Sequence, residues 1–121
     1  MDDMMQTLKI SATGLRAQGT RLRVIAENVA NANSLPLSPG QDPYQRRVVS
    51  FRSVLDDTIG AKVVEVARVA GDQAPFPRKY DPGHPAADPQ GYVRLPNVST
   101  LIEMADMREA QRSYEANLSV I

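Results

Sequence analysis

The sequence predicts an α+β protein in which long N- and C-terminal helices form an antiparallel coiled-coil hairpin around a small β-rich, Pro-rich central region. Two observations favour this fold: apolar residues recur at heptad spacing at both ends of the 121-residue chain, and β-branched runs broken by Pro and Gly lie between them. We therefore divide the chain into an N-terminal helix at 1–33, a central region at 34–96 with an inserted loop at 34–43, and a C-terminal helix at 97–121.

The N-terminal segment carries a regular apolar seam. Its residues follow one another at alternating steps of four and three: Leu8, Ala12, Leu15, Gly19, Leu22, Ala26 and Val29. One seam position is always large and the other always small, so a second helix is able to approach closely on the small side. Gly costs about 1 kcal/mol relative to Ala inside a helix, and close approach would explain its presence at position 19. A helix with so narrow an apolar stripe is only marginally stable in isolation, and we therefore expect it to pack against partner helices.

Three asparagines, Asn28, Asn31 and Asn33, mark the end of this helix. Asn is a poor helix former, but it tolerates left-handed backbone and bonds its own main chain. The physical chemistry alone favours a C-terminal cap followed by a loop. The segment 35–43, with three Pro and one Gly, predicts a surface loop.

β-Branched and partly alternating residues predict strands at 46–51 and 62–69, with Gly60 in their connection, and a further short strand at 91–95. The Arg46-Arg47 pair is interpreted as a solvated strand edge. Gly83, between two prolines in the run 81–85, is expected to supply a positive φ angle for a rigid bend.

The C-terminal segment repeats the four-three spacing. Its seam comprises Thr100, Met104, Met107, Gln111, Tyr114, Leu118 and Ile121, and either Asn97 or Ser99 is suited to cap the helix. The similar lengths of the two helical segments favour a hairpin. Because the pattern continues to Ile121, the sequence predicts a helix that is cut short.

Composition mainly excludes functions. Fourteen basic residues balance fourteen acidic ones, and no 18-residue apolar run occurs, which argues against nucleic-acid binding and membrane insertion. The start of the chain lacks the basic and apolar regions of a secretory signal. With no Cys and a single histidine, His84, the sequence offers no metal set and no general acid–base pair. We expect no catalytic, cofactor-binding or metal-binding residues, and no enzyme.

Three stretches resemble a known family. Gly14-Leu15, Ile25-Ala26 and the run 28–33 are similar to the N-terminal signature of flagellar rod, hook and hook-associated proteins. Within that superfamily, residues 80–98 resemble the central motif of FlgC-type proximal rod proteins, and residues 103–107 and 112–117 resemble their C-terminal helix. The loop at 34–43 departs from the short turn that many members have, and members usually extend the C-terminal helix by several turns.

The resemblance implies a structural subunit of the proximal rod of the bacterial flagellar basal body, which spans the periplasm and transmits torque for motility. It further implies export by the flagellar type III apparatus without a cleavable signal, and partners that include copies of itself, other rod proteins and proteins of the basal-body base. The candidate assembly interface combines both seams with the asparagines: Leu8, Ala12, Leu15, Gly19, Leu22, Ala26, Val29, Asn28, Asn31, Asn33, Met104, Met107, Tyr114 and Leu118.

Two other interpretations stay open on the sequence. One is another flagellar axial protein, against which the stretch 81–96 argues. The other is a stand-alone secreted coiled-coil adaptor or chaperone, which would explain the heptads but not the asparagine motif.

Overall fold

The computed structural model describes residues 3–121, so Met1 and Asp2 of the predicted N-terminal segment lie outside the described residues. Along the chain, four strands lie between an N-terminal and a C-terminal helix. The elements are α1 (Asp3–Ala30), β1 (Arg47–Asp56), β2 (Ala61–Gly71), β3 (Arg78–Tyr80), β4 (Tyr92–Arg94) and α2 (Thr100–Val120).

Strands β1 and β2 form a long antiparallel hairpin. Its register extends from Arg47 opposite Gly71 to Asp56 opposite Ala61, with an irregularity between Ser50 and Phe51. Gly60 closes the turn with a φ of 66°, a backbone conformation that favours glycine. Both strands are longer than predicted, because cross-strand pairing continues through residues that the β-branched pattern does not include, such as Arg52 and Asp56 in β1 and Ala70 and Gly71 in β2.

A second, smaller sheet pairs β3 with β4, from Arg78 opposite Arg94 to Tyr80 opposite Tyr92. The chain between them turns at Gly91, which has a φ of 89°. The prediction that Gly83 supplies this conformation was wrong, because Gly83 has no positive φ and a β-carbon there would meet nothing within 4 Å. At Gly91, a β-carbon would approach the Tyr80 ring to 2.9 Å.

The helix ends are set by local hydrogen bonds. Ser99 caps α2 by accepting a hydrogen bond from the Ile102 backbone N–H. At the end of α1, the side-chain amide of Asn31 donates to the Glu27 carbonyl at 2.8 Å. Among the described residues, every non-glycine has a negative φ, so this helix ends without a left-handed asparagine.

The predicted antiparallel coiled-coil hairpin was wrong, although the fold is α+β. Helix α1 packs against α2 on one side and against the β1–β2 sheet on another. Its buried residues do not belong to the predicted seam: they are Ser11, Ala17, Val24, Ile25 and Asn28. In α2 only Glu103 and Ala110 are buried. The sheet occupies a side of α1 that a two-helix hairpin would leave open, and since neither helix buries its seam residues, the seams do not form knobs-into-holes packing.

Neither helix in the range 3–121 combines the length and the apolar character that crossing a membrane would require.

Candidate functional site on the helix pair

Asn28 is a fully bonded polar residue at the junction of α1, α2 and β1. Its side-chain oxygen accepts hydrogen bonds from the Tyr44 hydroxyl at 2.7 Å and from the Arg47 backbone N–H at 3.0 Å. Its amide nitrogen donates to the Arg47 carbonyl at 2.9 Å and to the Glu103 carboxylate at 3.2 Å. Both donors and both acceptor sites of the side chain are therefore in use, which offsets the cost of burying it.

Glu103 is a buried carboxylate that is held between Asn28 and Arg46. Its side chain is completely inaccessible to solvent. One oxygen accepts from Asn28 and the other accepts from the Nε–H of Arg46. A buried charge is tolerated only when it is paired and hydrogen-bonded, and Glu103 satisfies both conditions.

Arg46 joins three segments through one guanidinium group. Besides Glu103, it binds Asp72 at 3.0 Å, just after β2, and Asp106 at 3.2 Å, one turn along α2. We call the five residues Asn28, Arg46, Asp72, Glu103 and Asp106 the polar junction. The planar fork of arginine suits it to bind several carboxylates at once.

The approach to α2 is fixed by a neighbouring asparagine. The side chain of Asn97 accepts from the Arg46 backbone N–H at 2.7 Å and donates to the carbonyls of Asp72 and Ala74, each at 3.0 Å. Asn97 therefore does not cap the helix. It ties the segment before α2 to the start of β1 and to the segment that follows β2.

The electrostatics of the polar junction favour the charged forms of Arg46 and Asp72. Burial alone would lower the pKa of Arg46, but its hydrogen bonds to Glu103 and Asp72 outweigh this effect and raise the pKa above the ordinary value. The pKa of Asp72 is lowered mainly by the hydrogen bond that it accepts from the Ala74 backbone N–H, and further by the hydrogen bond that it accepts from Arg46. Burial, reinforced by Glu27, raises the pKa of the Tyr44 hydroxyl, so that Tyr44 stays protonated as a donor to Asn28.

At the other end of the helix pair the backbones approach closely. A β-carbon built on Gly14 would lie 2.9 Å from the side-chain amide of Asn117. Gly14 lies against Asn117 at this end, and Asn28 bonds Glu103 at the other. Because the two contacts are the same number of residues apart along each helix, α2 runs antiparallel to α1 in a constant register. Between these two contacts, Ala110 is completely buried. The inward line of α2 thus comprises Glu103, Ala110 and Asn117.

The predicted seam of α1 lies away from the sheet, at the edge of the contact with α2. Residues Thr13, Ala17 and Thr20 line a cavity together with Val63 to Val66 of β2. Successive residues of a helix are rotated by about 100° about its axis. The seam is therefore directed away from the sheet and from the line through Gly14 and Asn28. Ala26 is exposed, whereas Leu8, Ala12, Leu15, Gly19, Leu22 and Val29 are half-buried.

The predicted seam of α2 lies roughly a quarter turn away from its inward line. Met107 and Tyr114 are half-buried, whereas Met104 and Leu118 are 49% and 53% exposed. The contact nearest to a β-carbon on Gly19 would be the Tyr114 ring, at 3.9 Å. This contact and the antiparallel direction place both seams on one side of the helix pair, opposite the β1–β2 sheet. We call this side, formed by Leu8, Leu15, Leu22, Met104, Met107, Tyr114 and Leu118, the seam surface.

The three asparagines are not equivalent. Asn28 is buried in the polar junction, Asn31 bonds the last turn of α1, and Asn33 is exposed in the following turn. Only Asn28 bonds α2.

Sequence reasoning missed four members of the polar junction. The interpretation of Arg46 as a solvated strand edge was wrong, since its side chain is only 19% exposed. Asp72, Glu103 and Asp106 carry no sequence signal that separates them from ordinary surface carboxylates. The heptad spacing of Glu103, Ala110 and Asn117 gives no usable signal either, because a line of polar and small residues is atypical of an inward helix face.

Among residues 3–121 no group of three or more His, Asp or Glu side chains is arranged to hold a metal ion. The Nδ1 atom of His84 accepts a hydrogen bond from the Ala86 backbone at 2.9 Å and so stabilises the turn before β4.

Comparison with known proteins identifies relatives along the whole chain. Residues 90–121 match the family described as flagellar basal body rod FlgEFG protein C-terminal. The flagellar basal-body rod protein FlgC of Agrobacterium fabrum is 53% identical over 121 residues, which cover 100% of this chain and 87% of that protein. The FlgC proteins of Aquifex aeolicus and of Escherichia coli O157:H7 are 44% and 40% identical, and each match covers 98% of this chain and 87% of the relative.

The match therefore includes α1, the polar junction, both sheets and α2. The chain belongs to the FlgC family of flagellar basal-body rod proteins and is a structural subunit of the rod.

Proposed function

We propose that the chain enters the rod through the seam surface, which packs against helices of neighbouring copies and of other rod proteins. The observation that carries this proposal is the position of the two seams. Their apolar side chains lie on one side of the helix pair and are only partly covered within the chain: Met104 and Leu118 are 49% and 53% exposed, whereas the leucines of α1 are half-buried. A contiguous exposed apolar patch on a small domain is typical of a protein–protein interface.

The position of the seam surface assigns different roles to the helices and to the central region of the subunit. The segments 1–33 and 97–121 supply the axial packing units, and the region 34–96 lies outside them and makes lateral contacts. Arg94 holds the inserted loop at 34–43 by binding Asp42 at 2.8 Å and the Gln41 carbonyl at 3.1 Å. This anchoring suits the loop to present the exposed side chain of Leu37.

The remaining parts of the proposal rest on the family. The subunit leaves the cytoplasm through the flagellar type III apparatus without a cleavable signal, contacts proteins of the basal-body base and the other rod proteins, and has no enzymatic activity. The test is to follow an epitope-tagged chain in cells with an intact and an inactivated flagellar export apparatus. Equal amounts outside the cytoplasm in both strains would contradict this export route.

A matched pair of substitutions on α2 tests the seam surface. Leu118 and Ala116 are both exposed, but only Leu118 belongs to the seam surface. Leu118→Asp is expected to abolish swimming and to leave purified basal bodies without a complete rod, because burying an unpaired charge in an interface is strongly unfavourable. Ala116→Asp is expected to swim. Both variants should show wild-type helix content in circular dichroism.

Swimming by the Leu118→Asp strain would contradict the proposed surface. Loss of swimming in both strains would also contradict it, because the sensitivity to charge would then not be confined to the seam surface.

A further inference from the structure

The two helices do not pack in the way that their apolar residues favour. Hydrophobic burial alone would turn Met104, Met107, Tyr114 and Leu118 toward α1. Instead, the line that faces α1 contains Glu103, Ala110 and Asn117, of which only Ala110 is apolar. Some other interaction must therefore set the rotation of α2 about its own axis.

Small residues permit the observed rotation but do not select it. Gly14 and Ala110 allow the backbones to approach. A roll of α2 by roughly a quarter turn would bring Met104 and Leu118 into the same space and would bury more apolar surface. Close approach therefore does not explain why the apolar stripe remains outside.

The polar contacts do discriminate between the two rotations. Glu103 is the residue of α2 that bonds Asn28, and it does so only when it points directly at α1. A quarter-turn roll would withdraw its carboxylate from both Asn28 and Arg46 and would leave Asn28 with an unpaired buried N–H. Leaving a buried polar group unpaired is costly, whereas buried polar pairs often select one arrangement without adding net stability.

We propose that Glu103 is a positioning residue: through Asn28 and Arg46 it fixes the rotation of α2, and this keeps the apolar stripe of α2 on the seam surface instead of buried against α1. The inference goes beyond the proposed function, because it concerns the isolated chain and holds whatever partner covers the seam surface.

Thiol labelling tests the rotation directly, since the chain contains no cysteine. Two single-cysteine chains serve as reporters: Leu118→Cys is outward and Ala110→Cys is inward. In the otherwise unchanged chain, Cys at 118 should react rapidly with a maleimide and Cys at 110 should be protected. Adding Glu103→Ala should slow labelling at 118 and accelerate it at 110, each by about tenfold, because the burial of one large apolar side chain such as Met104 then favours the rolled state.

Two controls separate rotation from a general loss of structure. Glu103→Gln retains one carbonyl oxygen that accepts from Asn28, but its amide NH2 group cannot accept from the Arg46 Nε–H, so it should shift the two labelling rates less than Glu103→Ala does. Glu65→Ala removes a carboxylate from the exposed Arg52–Glu65 pair on the sheet and should change neither rate. In both Glu103 variants, circular dichroism should report wild-type helix content.

Unchanged labelling in Glu103→Ala would overturn the inference, because the rotation would then be fixed elsewhere. Loss of helix content in Glu103→Ala would also overturn it, because Glu103 would then be required for folding and not for choosing the rotation. Neither result bears on whether the seam surface enters the rod, which the Leu118→Asp experiment measures separately.

Discussion

The side-chain amide of Asn28 donates a hydrogen bond to the Glu103 carboxylate at 3.2 Å, and this buried contact joins two residues that lie 75 positions apart in the chain. It connects the last turn of α1 to the first turn of α2. With the opposite contact between Gly14 and Asn117, it defines how the terminal helices of this rod subunit pair. The proposed assembly surface depends on that pairing, since it combines residues of both helices.

Removal of Arg46 should destabilise the chain strongly. Arg46→Ala leaves the Glu103 carboxylate buried without its cation, a loss of about 3–5 kcal/mol in the free energy of unfolding. The matched control is Arg52→Ala, which breaks an exposed ion pair with Glu65 and should cost less than about 1 kcal/mol. Urea denaturation followed by circular dichroism measures both. Similar values for the two variants would show that the polar junction is no more important than a surface ion pair.

The two glycines of α1 should respond differently to alanine. Replacing Gly by Ala inside a helix gains about 1 kcal/mol when space is available, and Gly19 has that space, with its nearest contact at 3.9 Å. At Gly14 the new β-carbon would displace Asn117, whose amide donates to the Ser113 carbonyl at 2.9 Å. The loss of that bond should cancel the gain, since a typical hydrogen bond contributes about 1 kcal/mol.

A double-mutant cycle checks the cause of this difference. In an Asn117→Ala background, Gly14→Ala and Gly19→Ala should stabilise the chain equally, because the displaced side chain is gone. If Gly14→Ala stabilises the original chain as much as Gly19→Ala does, the helices do not approach as closely as the structure indicates.

Gly91, and not Gly83, should be sensitive to substitution. Gly91→Ala combines a φ of 89° with a β-carbon 2.9 Å from the Tyr80 ring, and the left-handed conformation alone costs about 1–2 kcal/mol. Gly83→Ala meets no atom within 4 Å and should be neutral. Thermal unfolding of the two variants, with His84→Gln as a further variant in the same turn, measures the difference. A lower melting temperature for Gly83→Ala than for Gly91→Ala would contradict this account.

Stability should fall on acidification partly through Asp72. Its folded-state pKa lies below the ordinary value of 3.8 because it accepts hydrogen bonds from Ala74 and Arg46. The folded state therefore binds this proton less readily than the unfolded state. Its contribution is present above pH 3.8 and is lost as the pH falls through the lower, folded-state pKa.

Asp72→Asn removes this titration. The difference in unfolding free energy between the wild type and Asp72→Asn should be constant above about pH 5 and should shrink as the pH falls below 3.8. Denaturant titrations at a series of pH values provide the curve. A difference that grows on acidification would show that the pKa of Asp72 is raised in the folded chain.

The sequence by itself determined the elements and the family. Heptad spacing located both helices, and β-branched runs located β1 and β2, because these periods follow from backbone geometry alone. The strand β3, Arg78–Tyr80, was not predicted. It has no β-branched residue and exists because Tyr80 and Arg78 pair with Tyr92 and Arg94 across the small sheet.

Only the tertiary structure decided which helix faces turn inward. The heptad pattern measures apolar character, and it favoured the seams, including Leu15 and Leu118, as the contact between the helices. In the folded chain the sheet covers another side of α1, and the bonds of Glu103 to Asn28 and Arg46 select a polar line of α2 for the contact. Such bonds depend on residues far apart in the chain, which no local period encodes, and they leave the apolar seams on the surface of the helix pair.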